Sequence, residues 1–227
     1  MPTNPYGRHD APIVTVDVVI FTLDAGELKV VVARRPREPD MGVEGLIGGW
    51  VHTNEDETLE ATVERVLRVK AGLENVFVEQ LETVSSATRH PEGWSLSVVY
   101  MAILPVDELQ PAFDLGCILR PAETPGRLAM DHEKIVGIAL RRLRGKGAYS
   151  TIPMEFLPDE FSMPQLQSAY ESVMGEKLDQ SSFRRRMIER ELIVETGRRE
   201  VTSTGRKAEL YRANEKNKGT FDRSLRR

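Results

Sequence analysis

The sequence is poor in cysteine, in aromatic residues and in long apolar runs. Cys117 is the one cysteine among 227 residues, which excludes an intrachain disulfide and a metal centre built from several cysteines. Aromatic residues make up 6% of the chain, and no run approaches the roughly 18 apolar residues that a membrane-spanning helix needs. The opening segment MPTNPYGRHDAP lacks the apolar core of a signal peptide. These absences predict a cytoplasmic protein without a membrane segment.

The charges that are present are unevenly distributed along the chain. Residues 1–179 hold 17 basic and 28 acidic side chains, a net charge of -11, whereas residues 180–227 hold 14 basic and 7 acidic, a net charge of +7. A basic end on an acidic body indicates a segment that binds a polyanion, although a basic tail can also be merely solvated. The length allows one large domain, or a domain of about 150 residues followed by a small one.

A glycine pair lies in the most informative stretch, which runs from Leu46 to Leu73 (LIGGWVHTNEDETLEATVERVLRVKAGL). Gly48 and Gly49 follow an apolar, strand-like start, and a short polar loop then leads to a helix predicted to begin near Glu57. One face of that helix carries the apolar residues Leu59, Val63, Val66 and Leu67. Strand, glycine-rich loop and helix in this order favour phosphate binding, because glycines let a ligand approach the backbone.

This stretch resembles the Nudix box, G-x5-E-x7-R-E-U-x-E-E-x-G-U with U aliphatic, of enzymes that cleave nucleoside diphosphates linked to another group. Arg65 matches the arginine of the box, and Glu57 lies eight residues before it, at the position of the first glutamate. Gly72 and Leu73 match the end of the box. The glutamates that hold Mg²⁺ in such enzymes are replaced by Val66, Val69 and Lys70.

These replacements predict a binding pocket that has no catalytic residue and no metal site. A hard divalent cation needs several oxygen ligands, which valine and an ammonium group do not supply. Lys70 shares a helix face with Val66, so we expect its ammonium group to point into the pocket, where it would replace the metal against a ligand phosphate. Alternatively, Lys70 pairs with Glu57 or another acid. The alternative function is an active, diverged hydrolase whose metal ligands come from Glu55, Glu57, Glu60 or Glu64.

The rest of the first 147 residues predicts a strand-rich domain. Strands are expected at 13–23, 28–33, 76–87 and 94–104, an irregular segment at 105–127 and a helix at 131–144. Arg35 lies in the segment RRPR after the second strand, where an arginine can clamp phosphate or simply be solvated. Arg89 lies in the polar turn before the fourth strand.

The last 80 residues predict a winged helix-turn-helix. A capping box at Ser162 begins a helix that ends near Gly175, and Asp179 can cap a second helix that ends at Arg190. Strand-like segments at 192–196 and 209–212 flank a polar, basic turn. Two helices followed by a basic hairpin are typical of this DNA-binding unit.

The second of these helices has a predicted buried face of Phe183, Met187 and Ile188. Ser182, Arg185 and Arg186 project to the opposite side, and Arg184 lies between, where it should reach the edge or pair with an acid such as Glu171. An outward face of serine and arginine suits phosphate and base-edge contacts in a major groove, although it can also be a solvated face. The predicted wing contacts are Thr204, Arg206 and Lys207.

Taken together, the two halves are similar to the NrtR family of Nudix-related transcriptional regulators. The similarity includes the altered box, RHPEGWSLSVVY (89–100), MDHEKI (130–135), SFRRR (182–186) and TGRKAELY (204–211). It implies an α+β chain in which a Nudix-like α/β sandwich with a mixed sheet, residues 1–147, precedes a small winged helix-turn-helix domain, residues 148–227.

The resemblance also implies a function. It predicts a homodimeric repressor of NAD-metabolism genes that binds double-stranded operator DNA and is released by ADP-ribose, another nucleotide or a sugar phosphate. The predicted ligand-binding residues are Arg35, Gly48, Gly49, Trp50, Lys70 and Arg89. The predicted DNA-binding residues are Ser182, Arg184, Arg185, Arg186, Thr204, Arg206 and Lys207. Besides the hydrolase, an adaptor that binds RNA or protein remains an alternative.

Overall fold

A computed structural model describes residues 11–201 and 207–220 of the chain. The first domain is built on a mixed sheet, and its strands are β1 (Ile13–Asp24), β2 (Glu27–Arg34), β3 (Glu44–Gly45), β4 (Ile47–Trp50), β5 (Glu79–His90), β6 (Gly93–Ile103) and β7 (Ile118–Pro121). The order across the sheet is β3-β2-β1-β6-β5, with β4 also paired to β1 and β7 to β2. β1 and β6 run parallel, and the other pairs are antiparallel.

The sheet is covered by a helix on each face. Alternate residues of the central strand β1 point to opposite faces, so Val19 and Phe21 join the core beneath one helix, whereas Val18 and Ile20 join the core beneath the other. The helices are α1 (Leu59–Ala71) and α3 (His132–Gly147), with the short α2 (Gln110–Asp114) beside α1. Because both faces of β1 are buried, the strand is almost continuously apolar. The predicted α/β sandwich with a mixed sheet is confirmed.

The predicted helix boundaries agree with the structure to within a few residues. Thr58 caps α1 by accepting a hydrogen bond from the backbone N–H of Ala61 at 3.1 Å, and Gly72 ends the helix in the left-handed conformation. The expectation of an irregular segment at 105–127 was wrong. It contains a 3-10 helix (Val106–Leu109), α2 and β7, which are too short to give a periodic pattern.

The second domain has the predicted winged helix topology. Its helices are α4 (Met163–Met174) and α5 (Gln180–Glu189), its strands are β8 (Phe161–Ser162), β9 (Ile193–Val201) and β10 (Lys207–Ala213), and 3-10 helices occupy Ile152–Phe156 and Glu215–Asn217. The strands pair in the order β8-β10-β9. In the predicted capping box, the Ser162 backbone N–H donates to Oε1 of Gln165 at 2.7 Å. β9 extends to Val201 rather than ending near Thr196, so the wing is longer than predicted.

The two domains pack against each other through α3 and α4. A Cβ atom on Gly147 would lie 2.6 Å from Cγ1 of Val173, so only glycine allows α3 to approach α4 this closely. Ser172 of α4 donates a hydrogen bond at 2.6 Å to the carbonyl of Gly26 in the β1–β2 turn. α3 ends at Gly147, where the domain boundary is predicted, and the boundary itself stays a prediction. Within the described ranges, no helix is long and apolar enough to cross a membrane.

Candidate functional site

A cavity of about 750 Å³ opens on the first domain beside β1, β4 and α1. All six predicted ligand-binding residues line it: Arg35, Gly48, Gly49, Trp50, Lys70 and Arg89. Arg34, Arg37, Arg65, Asp17, His90, Val69 and His132 also contribute to its walls. The structure therefore brings the six residues together, although Arg35 and Arg89 are 54 positions apart in the sequence. Their contact with a ligand stays a prediction.

The glycine pair lies in strand β4 rather than in the predicted loop. Gly48 is opposite Asp17 in the β1–β4 register, and a Cβ atom on it would lie 2.1 Å from Oδ1 of Asp17. A Cβ atom on Gly49 would lie 2.8 Å from Cγ2 of Val66 on α1. Side chains are therefore excluded at both positions by the packing of β4 between β1 and α1.

Arg65 organises the wall of the pocket from α1. Its Nε and Nη2 atoms donate to the two carboxylate oxygens of Asp56 at 2.7 and 2.6 Å, and Nη2 also donates to the carbonyl of Trp50 at 2.8 Å. The hydrogen bond from Arg65 holds the pKa of Asp56 well below its ordinary range. The acid that faces Arg65 is Asp56, one residue before Glu57, which lies at the position of the first glutamate of the box.

Lys70 points into the cavity, as predicted from its helix face. Its ammonium group donates to the carbonyl of Gly48, and among the described residues no carboxylate lies within 4.0 Å of it. Much of the side chain is accessible from the pocket, but protein atoms surround its ammonium end. This partial loss of water, together with the positive charge of Arg35, lowers the pKa of Lys70. The alternative of a salt bridge with Glu57 is not seen.

Arg89 lies in the wall of the cavity, but its guanidinium group is already held by acids. Nη2 lies 2.7 Å from Oδ2 of Asp17, and Nε lies 3.0 and 3.1 Å from the carboxylate oxygens of Asp131. Ser97 donates a further hydrogen bond to Oδ2 of Asp17 at 2.7 Å. The Arg89 side chain is 3% exposed. Its position therefore fits an organising role better than the direct ligand contact expected from the sequence.

His132 completes this buried network at the first turn of α3. Its Nδ1 accepts the backbone N–H of Leu46 at 2.9 Å, and its Nε2 lies 3.5 Å from Oδ1 of Asp17. Burial lowers the pKa of His132, although the Asp17 charge opposes this effect. The ring is therefore neutral near pH 7, with its proton on Nε2.

Sequence analysis missed Asp17, Asp56 and His132. Asp17 is the one acidic residue within the apolar run of β1 before Asp24, and a buried carboxylate needs a partner, so its position carried a usable signal. The partner of that carboxylate is 72 residues away, at Arg89, and nothing local in the sequence indicates it.

The charged side chains that line the cavity are mostly positive. Its walls carry the cationic side chains Arg34, Arg35, Arg37, Arg65, Lys70 and Arg89 but only two carboxylates, Asp17 and Glu38. Within residues 11–201 and 207–220, no group of three or more His, Cys, Asp or Glu side chains is placed to hold a metal ion. A ligand with several phosphate oxygens fits this balance of charge.

The candidate DNA-binding surface lies on α5. Asp179 caps this helix by accepting the backbone N–H of Ser182 at 2.9 Å. Arg184 and Arg185 are exposed, Ser182 and Arg186 are partly exposed, and Arg185 lies 4.0 Å from Glu189. The predicted partner of Arg184, Glu171, instead pairs with Lys177. The expectation that Ile188 is buried was wrong: it is 45% exposed, because Phe183 and Met187 alone fill the contact with α4.

In the described part of the wing, two arginines lie close to acidic side chains. Lys207 is exposed at the start of β10, whereas Thr204 and Arg206 lie outside the described residues. Arg198 lies 3.4 Å from Glu160, and Arg199 lies 2.7 Å from Glu209. These two arginines have acidic neighbours that DNA phosphates would have to replace.

Comparison with known proteins relates both domains to one family. Residues 153–213 match the family model of the NrtR DNA-binding winged helix domain. The chain is 32% identical over 208 residues to an ADPR-responsive transcriptional repressor, NtrR, of Acinetobacter baylyi, which covers 90% of this chain and 83% of that protein.

Solved structures extend this similarity to three dimensions. NrtR of Shewanella oneidensis in complex with a 27mer DNA has a TM-score of 0.84 and 34% identity, over 93% of this chain and 98% of that one. The Nudix domain of the same protein with ADP-ribose has a TM-score of 0.55 and 33% identity, over 62% of this chain and 94% of that one. The first domain is also 30% identical over 142 residues to an ADP-ribose pyrophosphatase of Methanocaldococcus jannaschii, over 59% of this chain and 76% of that protein.

Proposed function

We propose that this chain, which belongs to the NrtR family of Nudix-related transcriptional regulators, is a DNA-binding repressor whose first domain senses ADP-ribose. One observation carries this proposal beyond similarity: a single helix, α3, begins at the wall of the cationic pocket and ends against the DNA-binding domain. We further propose that the protein acts in the cytoplasm as a homodimer on genes of NAD metabolism.

The beginning of α3 is tied to the pocket by its first residues. Asp131 and His132 contact Arg89 and Asp17, which line the cavity, so a ligand that occupies the cavity changes the surroundings of both. Met130, which also lines the cavity, is fixed from the other side, since its backbone N–H donates to Asp40 at 2.9 Å. Ligand binding therefore acts on the residues that set the position of α3.

The end of α3 is tied to the recognition helix. Gly147 approaches Val173 of α4, and the hydroxyl of Tyr170 donates at 3.0 Å to the carbonyl of Ser150, just beyond α3. The Tyr170 ring meets that of Phe183 on α5 edge to face, with centroids 5.3 Å apart. Sixteen residues of helix, about 24 Å, thus connect the pocket wall to the packing that holds α5.

On α5 and the wing, we propose that Ser182, Arg184, Arg185 and Arg186 contact the major groove while Thr204, Arg206 and Lys207 bind phosphates. For the nucleotide to release DNA, it must bind the DNA-competent arrangement less tightly than another one. A coupling free energy of about 1–3 kcal/mol would change operator affinity roughly 5- to 150-fold.

Reciprocity between the two ligands gives the decisive experiment. The operator is first selected from random duplex DNA with the protein itself, and ADP-ribose is then titrated calorimetrically into the free protein and into its complex with the selected duplex. We expect the duplex to weaken ADP-ribose binding by the same factor by which ADP-ribose weakens duplex binding. A scrambled duplex should have no effect. Equal ADP-ribose affinity in all three titrations would contradict the proposal.

We also propose that the first domain is not a hydrolase. Val66, Val69 and Lys70 occupy the α1 positions that face the cavity, where an enzyme of this type holds its metal with glutamates. The similarity to the M. jannaschii pyrophosphatase favours hydrolysis as the second candidate function. Incubation with ADP-ribose and Mg²⁺ or Mn²⁺ separates the two: AMP formation at a rate near that of the archaeal enzyme would establish the hydrolase.

A further inference from the structure

One of the two tryptophans in the chain lines the pocket, and this residue is half exposed. Trp50, at the end of β4, lines the cavity and is 51% exposed. Trp94, at the beginning of β6, is similarly exposed at 47% but is not among the residues that line the cavity. An exposed indole inside a concave site presents a large, rigid apolar surface to whatever occupies that site.

The Trp50 side chain is held in place from within the protein. Its ring meets the imidazole of His90 edge to face, with centroids 5.9 Å apart and an interplanar angle of 83°. His90 is itself buried, and its Nδ1 accepts the backbone N–H of Glu92 at 3.2 Å, which fixes the imidazole. The Trp50 backbone is fixed by Arg65, through the hydrogen bond to its carbonyl. Trp50 is therefore an anchored aromatic surface rather than a loose side chain.

The cavity also offers other apolar surface that its cationic groups do not explain. Val69 of α1 lines the cavity and is 66% exposed, and Val51 follows Trp50 along the wall. Guanidinium and ammonium groups satisfy phosphates, but phosphates alone would leave these apolar side chains without a partner. A ligand that uses both kinds of surface carries a planar, weakly polar ring joined to its phosphates.

We propose that Trp50 is the base-stacking residue of this pocket and that it selects nucleotides over sugar phosphates and free pyrophosphate. The inference rests on the proposed nucleotide-sensing function and defines the chemical class of its effector. His90 is the positioning residue that holds the indole from behind. Arg65, which matches the arginine of the box, also positions Trp50, through the hydrogen bond that it donates to the Trp50 carbonyl.

The two tryptophans allow a direct optical test on the full-length protein. Trp94→Phe leaves Trp50 as the one indole, and Trp50→Phe leaves Trp94 as the matched control. In Trp94→Phe, we expect ADP-ribose and ADP to quench the fluorescence to saturation, whereas ribose 5-phosphate and inorganic pyrophosphate leave it unchanged. In Trp50→Phe, none of the four compounds should change the emission.

Binding affinity provides the second measurement. Stacking on an aromatic residue implies that Trp50→Ala weakens ADP-ribose binding by roughly 5- to 150-fold, with much of the affinity retained in Trp50→Phe. Pyrophosphate binding should change less than about twofold, and thermal unfolding monitors the integrity of each variant. Full ADP-ribose affinity in Trp50→Ala, or an equal loss for ADP-ribose and pyrophosphate, would overturn the inference.

Failure of this inference is distinguishable from failure of the proposed function. If ADP-ribose releases operator DNA but Trp94→Phe shows no quenching, the regulator stands and the role of Trp50 is wrong. If Trp94→Phe is quenched by ADP-ribose but operator affinity does not respond, the nucleotide site stands and the regulatory function is wrong.

Discussion

The pocket and the α5 surface are both rich in arginine, but they hold these charges in opposite ways. In the pocket, Arg89 is almost fully buried, with carboxylates on two sides at 2.7 and 3.0 Å. On α5, Arg185 is 67% exposed and its guanidinium group lies 4.0 Å from the carboxylate of Glu189. Buried, hydrogen-bonded charges have a fixed geometry, which suits a small ligand of defined shape. Exposed charges are screened and adaptable, which suits the repeating phosphates of a DNA backbone.

The largest difference between the two regions should appear in stability. Asp17→Ala removes one carboxylate from the buried Arg89 and leaves only that of Asp131 beside it, so we expect a loss of about 3 kcal/mol or more in the free energy of unfolding. Glu209→Ala breaks the exposed wing pair with Arg199 and should cost less than about 1 kcal/mol. Urea denaturation measures both. Similar losses for the two variants would mean that burial does not distinguish these pairs.

Lys70 tests whether the pocket depends on charge in place of a metal. A hydrogen bond to a charged group contributes about 1.5–3 kcal/mol, so Lys70→Met should weaken ADP-ribose binding by roughly 10- to 150-fold. The loss should be the same with Mg²⁺ and with a chelator, because no metal takes part. Arg68→Met is the control, since Arg68 is exposed on the same helix and is not among the residues lining the cavity. An unchanged affinity in Lys70→Met would contradict the proposed role.

His132 should make the folding stability of the first domain depend on pH. Because burial lowers its pKa in the folded protein, the unfolded chain binds the proton more readily. The stability that depends on neutral His132 is therefore complete above about pH 6.5 and is lost as the pH falls, by up to about 1.4 kcal/mol per pH unit. His132→Asn retains an acceptor for the Leu46 N–H and should flatten the dependence between pH 7 and 5. Urea denaturation at several pH values measures this dependence, and an equal fall in the free energy of unfolding for variant and wild type would refute the prediction.

The smallest expected effect concerns a single exposed arginine. Arg185→Ala should reduce the slope of log operator affinity against log salt concentration by about 0.9 if the side chain neutralises one phosphate. Arg199→Ala is a matched wing control whose charge is already paired with Glu209. Loss of a base contact would instead cost about 1–3 kcal/mol and relax sequence preference at one position. Fluorescence anisotropy at several salt concentrations separates these outcomes, and a slope unchanged in Arg185→Ala would remove it from the interface.

Local patterns in the sequence were sufficient for most of the fold. The apolar period of α1, the capping box at Ser162 and the break between the first two strands each depend on neighbours within a few residues, so they could be predicted. Elements of four or five residues, such as α2 and β7, carry too little periodicity to be recognised. Three parts of the cavity lining were predicted from local features of the sequence: the glycine pair, the RRPR segment and the helix face of Lys70.

The parts of the site that were missed depend on contacts between distant segments. Asp17 and Arg89 are 72 residues apart, and His132 meets Leu46 across 86. No local rule brings such pairs together, since they meet only once β1, β5 and α3 have packed. Asp56 was missed for a different reason: the spacing of a motif counts residues, whereas pairing with Arg65 depends on where the loop between β4 and α1 places each side chain.

Two adjacent residues of α4, Ser172 and Val173, each contact a different part of the first domain. Val173 lies against Gly147 of α3, and Ser172 is bonded to Gly26 at the tip of the hairpin whose first strand carries Asp17. Both contacts fall within one turn of helix, so the second domain can rotate about this point. A small rotation there moves the distant wing by an amount proportional to its distance from the pivot. Under the proposed function, a small adjustment of the pocket around a phosphate would therefore change the fit of the wing to the double helix.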